Sequence, residues 1–122
     1  MKIVIAGAGE VGFHLARLLS YELQDIVLID TSSKRLEYAG SHIDVITIRG
    51  NATSPELLLE AEVAKADMLI AVTSSETTNM TVAMIGKQLG AKRTFARISN
   101  TEFLKKDCSI NFASMGIDYM IS

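Results

Sequence analysis

The chain has 122 residues, 48% of them hydrophobic, with one proline, one cysteine and a formal net charge of −2. That length and apolar content are enough for one folded domain without metals or disulfides as staples. The mild acidity carries no footprint for nucleic acid, no apolar run approaches the length of a membrane span, and Cys108 has no partner for an internal disulfide, which suits a reducing cytosol.

The first element expected is a strand over Lys2–Ala6, an apolar run that stops at Gly7. The chain starts directly in that strand and shows no signal-peptide core. Gly7, Gly9 and Gly12 stand at G-x-G-x-x-G spacing, and an amphipathic stretch over Val11–Leu23 predicts a helix directly behind them. Each glycine has a separate physical purpose. Gly7 allows the tight strand-to-helix turn, Gly9 lets a diphosphate approach bare backbone, and Gly12 lets the helix pack closely on the sheet. The helix that follows presents its positive dipole end and free N–H groups to the phosphates.

A second strand over Asp25–Ile29 leads into Asp30 and Thr31. Asp30 stands roughly 20 residues beyond the first glycine, the separation expected of the carboxylate that accepts from ribose hydroxyls. A carboxylate there repels a 2′-phosphate, so NAD or an adenosine nucleotide is favoured over NADP. The alternative role for Asp30 is to cap the helix beginning near Ser32.

Strands and helices then alternate to the end of the chain. Helices are expected over Ser33–Ala39, over Pro55–Ala61 behind a Ser54 cap, over Glu76–Leu89 closed by Gly90, over Thr101–Lys106, and over Ser109–Met115 closed by Gly116. Strands are expected over Val45–Arg49, Met68–Val72, Thr94–Ile98 and Asp118–Ile121. This pattern predicts the α/β class: a Rossmann-like, doubly wound, parallel six-stranded sheet of order 3-2-1-4-5-6 with helices on both faces. The ligand crevice of such a fold lies where the first and fourth strands meet.

Three further loops fall at the same end of that sheet. After the third strand, Gly50 permits close approach while Asn51 and Thr53 offer side-chain donors and acceptors at adenine height, although ordinary turn chemistry would also explain them. After the fourth strand, Thr73, Ser74, Glu76 and Asn79 are candidates for the distal half of a dinucleotide, with capping by Ser74 or Ser75 accounting for part of the run. The fifth strand carries Arg97, which in a buried strand needs an anionic partner, either a phosphate or an internal carboxylate. His14 on the first helix and His42 in a loop lack the partners of a metal site.

Together, Gly7 to Gly12, Asp30, Gly50-Asn-Ala-Thr53, Ala71-Val-Thr-Ser-Ser-Glu76, Asn79-Met80 and Ala96-Arg-Ile98 resemble the TrkA-N domain, the KTN or RCK module of Trk-system potassium uptake regulators. The resemblance covers essentially the whole chain. It implies one nucleotide-binding domain over 1–122, the N-terminal part of a longer protein, cytoplasmic and held at the inner face of the membrane by a potassium channel or transporter subunit. It also implies NAD(H) or ATP/ADP as ligand and a homodimer or higher homo-oligomer, with no nucleic acid partner. By that resemblance Gly7, Ala8, Gly9, Glu10, Val11 and Gly12 form the diphosphate turn, and Asp30 and Thr31 meet the adenosine ribose. Asn51, Ala52 and Thr53 flank adenine, Thr73, Ser74, Glu76 and Asn79 serve the distal phosphate or nicotinamide half, and Arg97 lies near the phosphates. One departure is visible: the family's third-strand loop usually reads Gly-Asp-Ala-Thr, and Asn51 removes that charge.

Two enzymatic readings compete. A dehydrogenase needs a catalytic acid or base and a substrate domain, yet none of Tyr21, Tyr38 and Tyr119 is followed four residues on by lysine. An S-adenosylmethionine-dependent methyltransferase commonly places an acid just before the first glycine, where this chain has Ile5 and Ala6. The expectation is therefore a ligand-sensing module that holds a nucleotide without reacting it.

Overall fold

A computed structural model describes residues 1–122. Its sheet has six strands: β1 (Lys2–Ala6), β2 (Asp25–Asp30), β3 (Ile46–Arg49), β4 (Met68–Ala71), β5 (Arg93–Arg97) and β6 (Tyr119–Ile121). All neighbours pair in parallel, in the order β3-β2-β1-β4-β5-β6. The expected topology is the one observed. β1 sits at its centre, with Ile3 opposite both Ile26 of β2 and Met68 of β4. Its four residues Ile3–Ala6 are fully buried, as a strand covered on both faces requires.

Alternation along the strands divides the core into two layers. Ile3, Ile5, Ile26, Leu28 and Ile70 pack against Ala16, Leu36 and Ala39, which come from α1 (Glu10–Ser20) and α2 (Ser33–His42). Val4, Ala6, Val27, Ile29 and Leu69 face the other way, toward Leu58 of α3 (Pro55–Glu60) and Val82 of α4 (Glu76–Leu89). Three helices begin as the sequence suggests. The hydroxyls of Ser32, Ser54 and Ser75 accept the N–H groups of Arg35, Leu57 and Thr78 and so cap α2, α3 and α4. Pro55 occupies the first turn of α3, and Gly90, at φ +119°, closes α4.

The departures lie at the edges. β3 is largely exposed, since it borders only β2. His42 ends α2 instead of lying in a loop. The helix expected over Thr101–Lys106 does not form. That stretch turns through Phe103 N–H to Asn100, Leu104 N–H to Thr101 and Cys108 N–H to Lys105, all i→i−3 bonds. The segment is too short to propagate a helix, and only Phe103 anchors it while Lys105 and Lys106 stay exposed. Of the helix expected over Ser109–Met115, one 3₁₀ turn remains at Ala113–Met115, closed by Gly116 in the left-handed region. A third apolar cluster fixes this connection: Ala83, Ala96, Ile98, Phe112 and Ile117, with Phe103 edge-on to Phe112 at 5.3 Å between ring centres.

Candidate functional site

The carboxyl ends of β1, β2 and β4 open into a crevice of about 510 Å³, within the size range of small-molecule sites. One wall is the turn from β1 into α1. Gly7 takes φ +113°, and a Cβ there would lie 2.9 Å from the N atom of Thr73. Gly12 abuts the same turn, where a Cβ would fall 1.7 Å from the carbonyl oxygen of Gly7. Packing within the protein therefore requires both glycines. Gly9 is different. Its φ is −73°, open to any residue, and the nearest atom to a Cβ there is Arg35 Nη1 at 3.8 Å. Gly9 also stands at the N-cap of α1, so this helix begins without the side-chain cap that the other three have. Its first-turn N–H groups lack intrahelical acceptors.

The second wall is Asp30. Its Oδ1 accepts the N–H of Ala8 and its Oδ2 the N–H of Ser32, both at 2.9 Å. The carboxylate thus ties the glycine turn to the loop after β2, and each oxygen keeps a further lone pair. The capping role weighed for Asp30 falls to Ser32, whose hydroxyl caps α2, while Asp30 holds the Ser32 N–H behind it.

The candidates separate into those that line the crevice and those that hold it from behind. Gly7, Gly9, Glu10, Val11, Asp30, Thr31, Asn51, Ala52, Thr73, Ser74 and Arg97 line it. Five others do not. The Ala8 side chain is buried, and only its N–H reaches Asp30. Gly12 is enclosed against Gly7. Thr53 donates its N–H and hydroxyl to Asn51 Oδ1 at 3.0 and 2.8 Å, which leaves Asn51 its amide NH₂ as the free group. The Glu76 carboxylate accepts the N–H groups of Ser99 and Asn100 at 2.9 and 2.6 Å, anchoring the chain after β5. Asn79 is buried. Its Oδ1 takes the N–H and hydroxyl of Thr73, and its Nδ2 donates to the carbonyls of Thr73 and Arg97.

Arg97 corrects another expectation. Its side chain is exposed, because β5 turns Arg93 and Arg97 toward a face that no helix covers at that edge, so no buried counter-charge is required. It has no carboxylate partner and borders the crevice.

Sequence reasoning left out Arg35, Ser75 and Thr78, which also line the crevice. All three belong to helix starts directly behind crevice loops: Arg35 is in the first turn of α2, and Thr78 lies one turn from the Ser75 cap. That position was the available signal.

The sequence model of the TrkA-N domain matches residues 3–122. A Trk system potassium uptake protein TrkA from Haemophilus influenzae is 40% identical over 124 aligned residues, covering 100% of this chain and 27% of that protein. The chain thus spans about a quarter of that relative's length. Among solved structures, the TrkA-N domain of the inner membrane protein ybaL from Escherichia coli superposes with a TM-score of 0.83 at 20% identity, covering 98% of this chain and 85% of that one. A GsuK channel bound to NAD gives 0.79 at 16% identity, covering 98% of this chain and 21% of the channel.

Proposed function

The chain belongs to the TrkA-N domain family, and from that premise we propose that it is a non-catalytic regulatory domain, one part of a longer protein, that binds an adenine nucleotide and controls a membrane potassium channel or transporter. The observation that carries this reading is Gly9. Neither its backbone angle nor its neighbours require glycine, and a Cβ there would meet only Arg35 Nη1, at ordinary van der Waals distance, at the uncapped start of α1. A ligand that needs bare backbone accounts for it.

In this reading Gly7, Gly9, Glu10 and Val11 border a diphosphate, which the free N–H groups and dipole of α1 attract. Asp30 accepts the ribose hydroxyls beside Thr31 while still holding Ala8 and Ser32. Asn51 offers its NH₂ to adenine next to Ala52, with Thr53 fixing the amide. Thr73, Ser74 and Arg97 meet the distal half, and Asn79 and Glu76 hold those loops in place. NAD(H) and ATP/ADP both present adenosine and a diphosphate to these groups. The bound nucleotide supplies charge and shape, and no reaction is asked of it. It controls the partner only by binding two arrangements of paired lobes unequally, so the working unit is a homodimer or higher homo-oligomer on the cytoplasmic side. No helix here is long and apolar enough to cross a membrane.

Side-by-side calorimetric titration with NAD, NADH, ATP and ADP tests this reading. Saturable binding without turnover is expected, and Asp30→Ala should weaken it by about 1.5–3 kcal/mol, the scale of hydrogen bonds to a charged group. Unchanged affinity in Asp30→Ala would remove the ribose assignment. Steady NADH oxidation with a small carbonyl compound would overturn the non-catalytic one.

A further inference from the structure

A second cavity, about 550 Å³ in volume, lies between α1 and α2 on the far side of the glycine turn and meets the crevice at Gly9, Glu10 and Arg35. Its chemistry is unlike that of the crevice. Phe13 and Tyr38 give it aromatic walls, their ring centres 5.2 Å apart, and Tyr38 is exposed. Around those rings stand Arg17, Lys34 and Arg35, with Glu10 the sole acid in the lining. None of the three cations has a carboxylate partner; every ion pair in the chain belongs to Lys2, Lys65, Lys87 or Lys92. Arg17 instead donates to His14 Nδ1 at 3.0 Å, and its guanidinium lies 5.9 Å from the centre of the Phe13 ring.

The placement of two of these cations breaks a local rule. Lys34 and Arg35 occupy the first turn of α2, where the helix dipole is positive, and that turn has no acidic residue to offset them. Positive charge accumulated against a dipole, in a chain of net charge −2, is a stability cost that no contact within the protein repays. Costs of this kind collect at binding sites. An anion would relieve it by charge-assisted bonds to Arg17, Lys34 and Arg35, and a planar group on the same molecule would lie against Tyr38 and Phe13.

We propose that the α1–α2 cavity is a second ligand site, for a small organic anion that joins a phosphate or carboxylate to a planar ring. Gly9, Glu10 and Arg35 border both spaces, and the site is told apart from the nucleotide crevice by Arg17, Lys34, Phe13 and Tyr38, which lie outside it.

Phenyl phosphate is a suitable probe, titrated into the ¹⁵N-labelled 122-residue chain and followed by amide shifts. Saturable shifts are expected at Phe13, Arg17, Lys34 and Tyr38. Inorganic phosphate, which lacks the ring, should bind about tenfold more weakly. The Arg17→Ala, Lys34→Ala double variant should lose about tenfold or more in affinity, and Tyr38→Ala about fivefold. These side chains are half-buried or exposed, so retained spectra of the free variants establish that the fold is intact. Shifts confined to the crevice residues Asn51 and Thr73, undiminished affinity in the double variant, or equal affinity for inorganic phosphate would each overturn the proposal.

Discussion

The turn from β1 into α1 and the connection from β5 to β6 leave the same end of the sheet, and they are held in opposite ways. The first is three residues long, Gly7 to Gly9, and backbone largely sets its path. Gly12 lies against the carbonyl of Gly7, the Gly7 N–H donates to Ile29, and the backbone of Thr73 leaves no room for a Cβ at Gly7, with Asp30 holding the Ala8 N–H. The second runs from residue 98 to 118 with one 3₁₀ turn in it, and distant side chains fix it. Glu76 takes the N–H groups of Ser99 and Asn100, Phe103 and Phe112 pack on each other, and Asp118 is gripped by Lys87 Nζ at 2.8 Å and Thr94 N–H at 3.0 Å. Where backbone sterics decide, side chains are largely interchangeable except at the glycines. Where anchors decide, most of the backbone is free to vary and a few side chains are not.

Substitutions at both connections can break that contrast. The largest expected effect is at Gly12. Gly12→Val sets a Cβ against backbone that cannot yield, and urea unfolding should show a loss of about 3 kcal/mol or more, or no folded protein. Glu76→Ala releases two N–H groups together. Hydrogen exchange should quicken at Ser99 and Asn100 while the amides of β1 stay protected, at a cost of about 1–2 kcal/mol after allowance for screening at this partly exposed site. Spread of that exchange to β1 would mean that the two connections are not separable.

Asp118→Asn is smaller, about 1 kcal/mol, and has a pH signature. Burial pushes the Asp118 carboxyl up, but Lys87 and the Thr94 N–H outweigh it and hold the carboxyl below its ordinary 3.8. A depressed carboxylate stabilises fully above that ordinary value and loses its contribution as pH falls through the folded one. The acid limb of a stability–pH curve should therefore be shallower in Asp118→Asn below about pH 4. Gly9→Val should change stability least, within about 0.5 kcal/mol, yet abolish NADH and ATP binding in calorimetry. Opposite outcomes at Gly9 and Gly12, on one turn, would separate glycine kept for a ligand from glycine kept for the fold.

The same contrast explains what could be read from the sequence. Strand order was legible from the strict alternation of strands and helices. The glycine turn, the Ser54-Pro55 start and the Gly90 stop were legible because each depends on residues close in sequence. The path of the chain through Thr101–Lys106 was not, since it is pinned by Glu76 on Ser99 and Asn100 and by Phe112 on Phe103, neither of them adjacent to it in sequence. Arg97 was misjudged because sequence does not say which strand face lacks a helix. For Asn79 a signal did exist. It lies on the helical stripe of Val82, Ala83 and Gly86, all buried, so its amide had to turn inward. Gly7, Gly9, Asp30 and the loops after β3 and β4 could be brought to one crevice from pattern alone. Which of their neighbours bound the space, Arg35 and Thr78 among them, required the packing of helices on the sheet.

The central position of β1 has a consequence for how the protein is made. β1 leaves the ribosome well before β4, yet half of its pairing waits for that strand: Ile3 lies opposite Met68, and the N–H of Asp67 bonds to the carbonyl of Lys2. At roughly 5–20 residues per second, several seconds of synthesis separate the two strands. During that interval β1 can pair only with β2, which β3 joins on its other side, and the flank of β1 that β4 will cover stays open. Lowering the rate of translation over α3 should therefore lengthen the exposure of the apolar run Ile3–Ala6, and the yield of soluble protein should respond to codon choice there more than anywhere after Ala71.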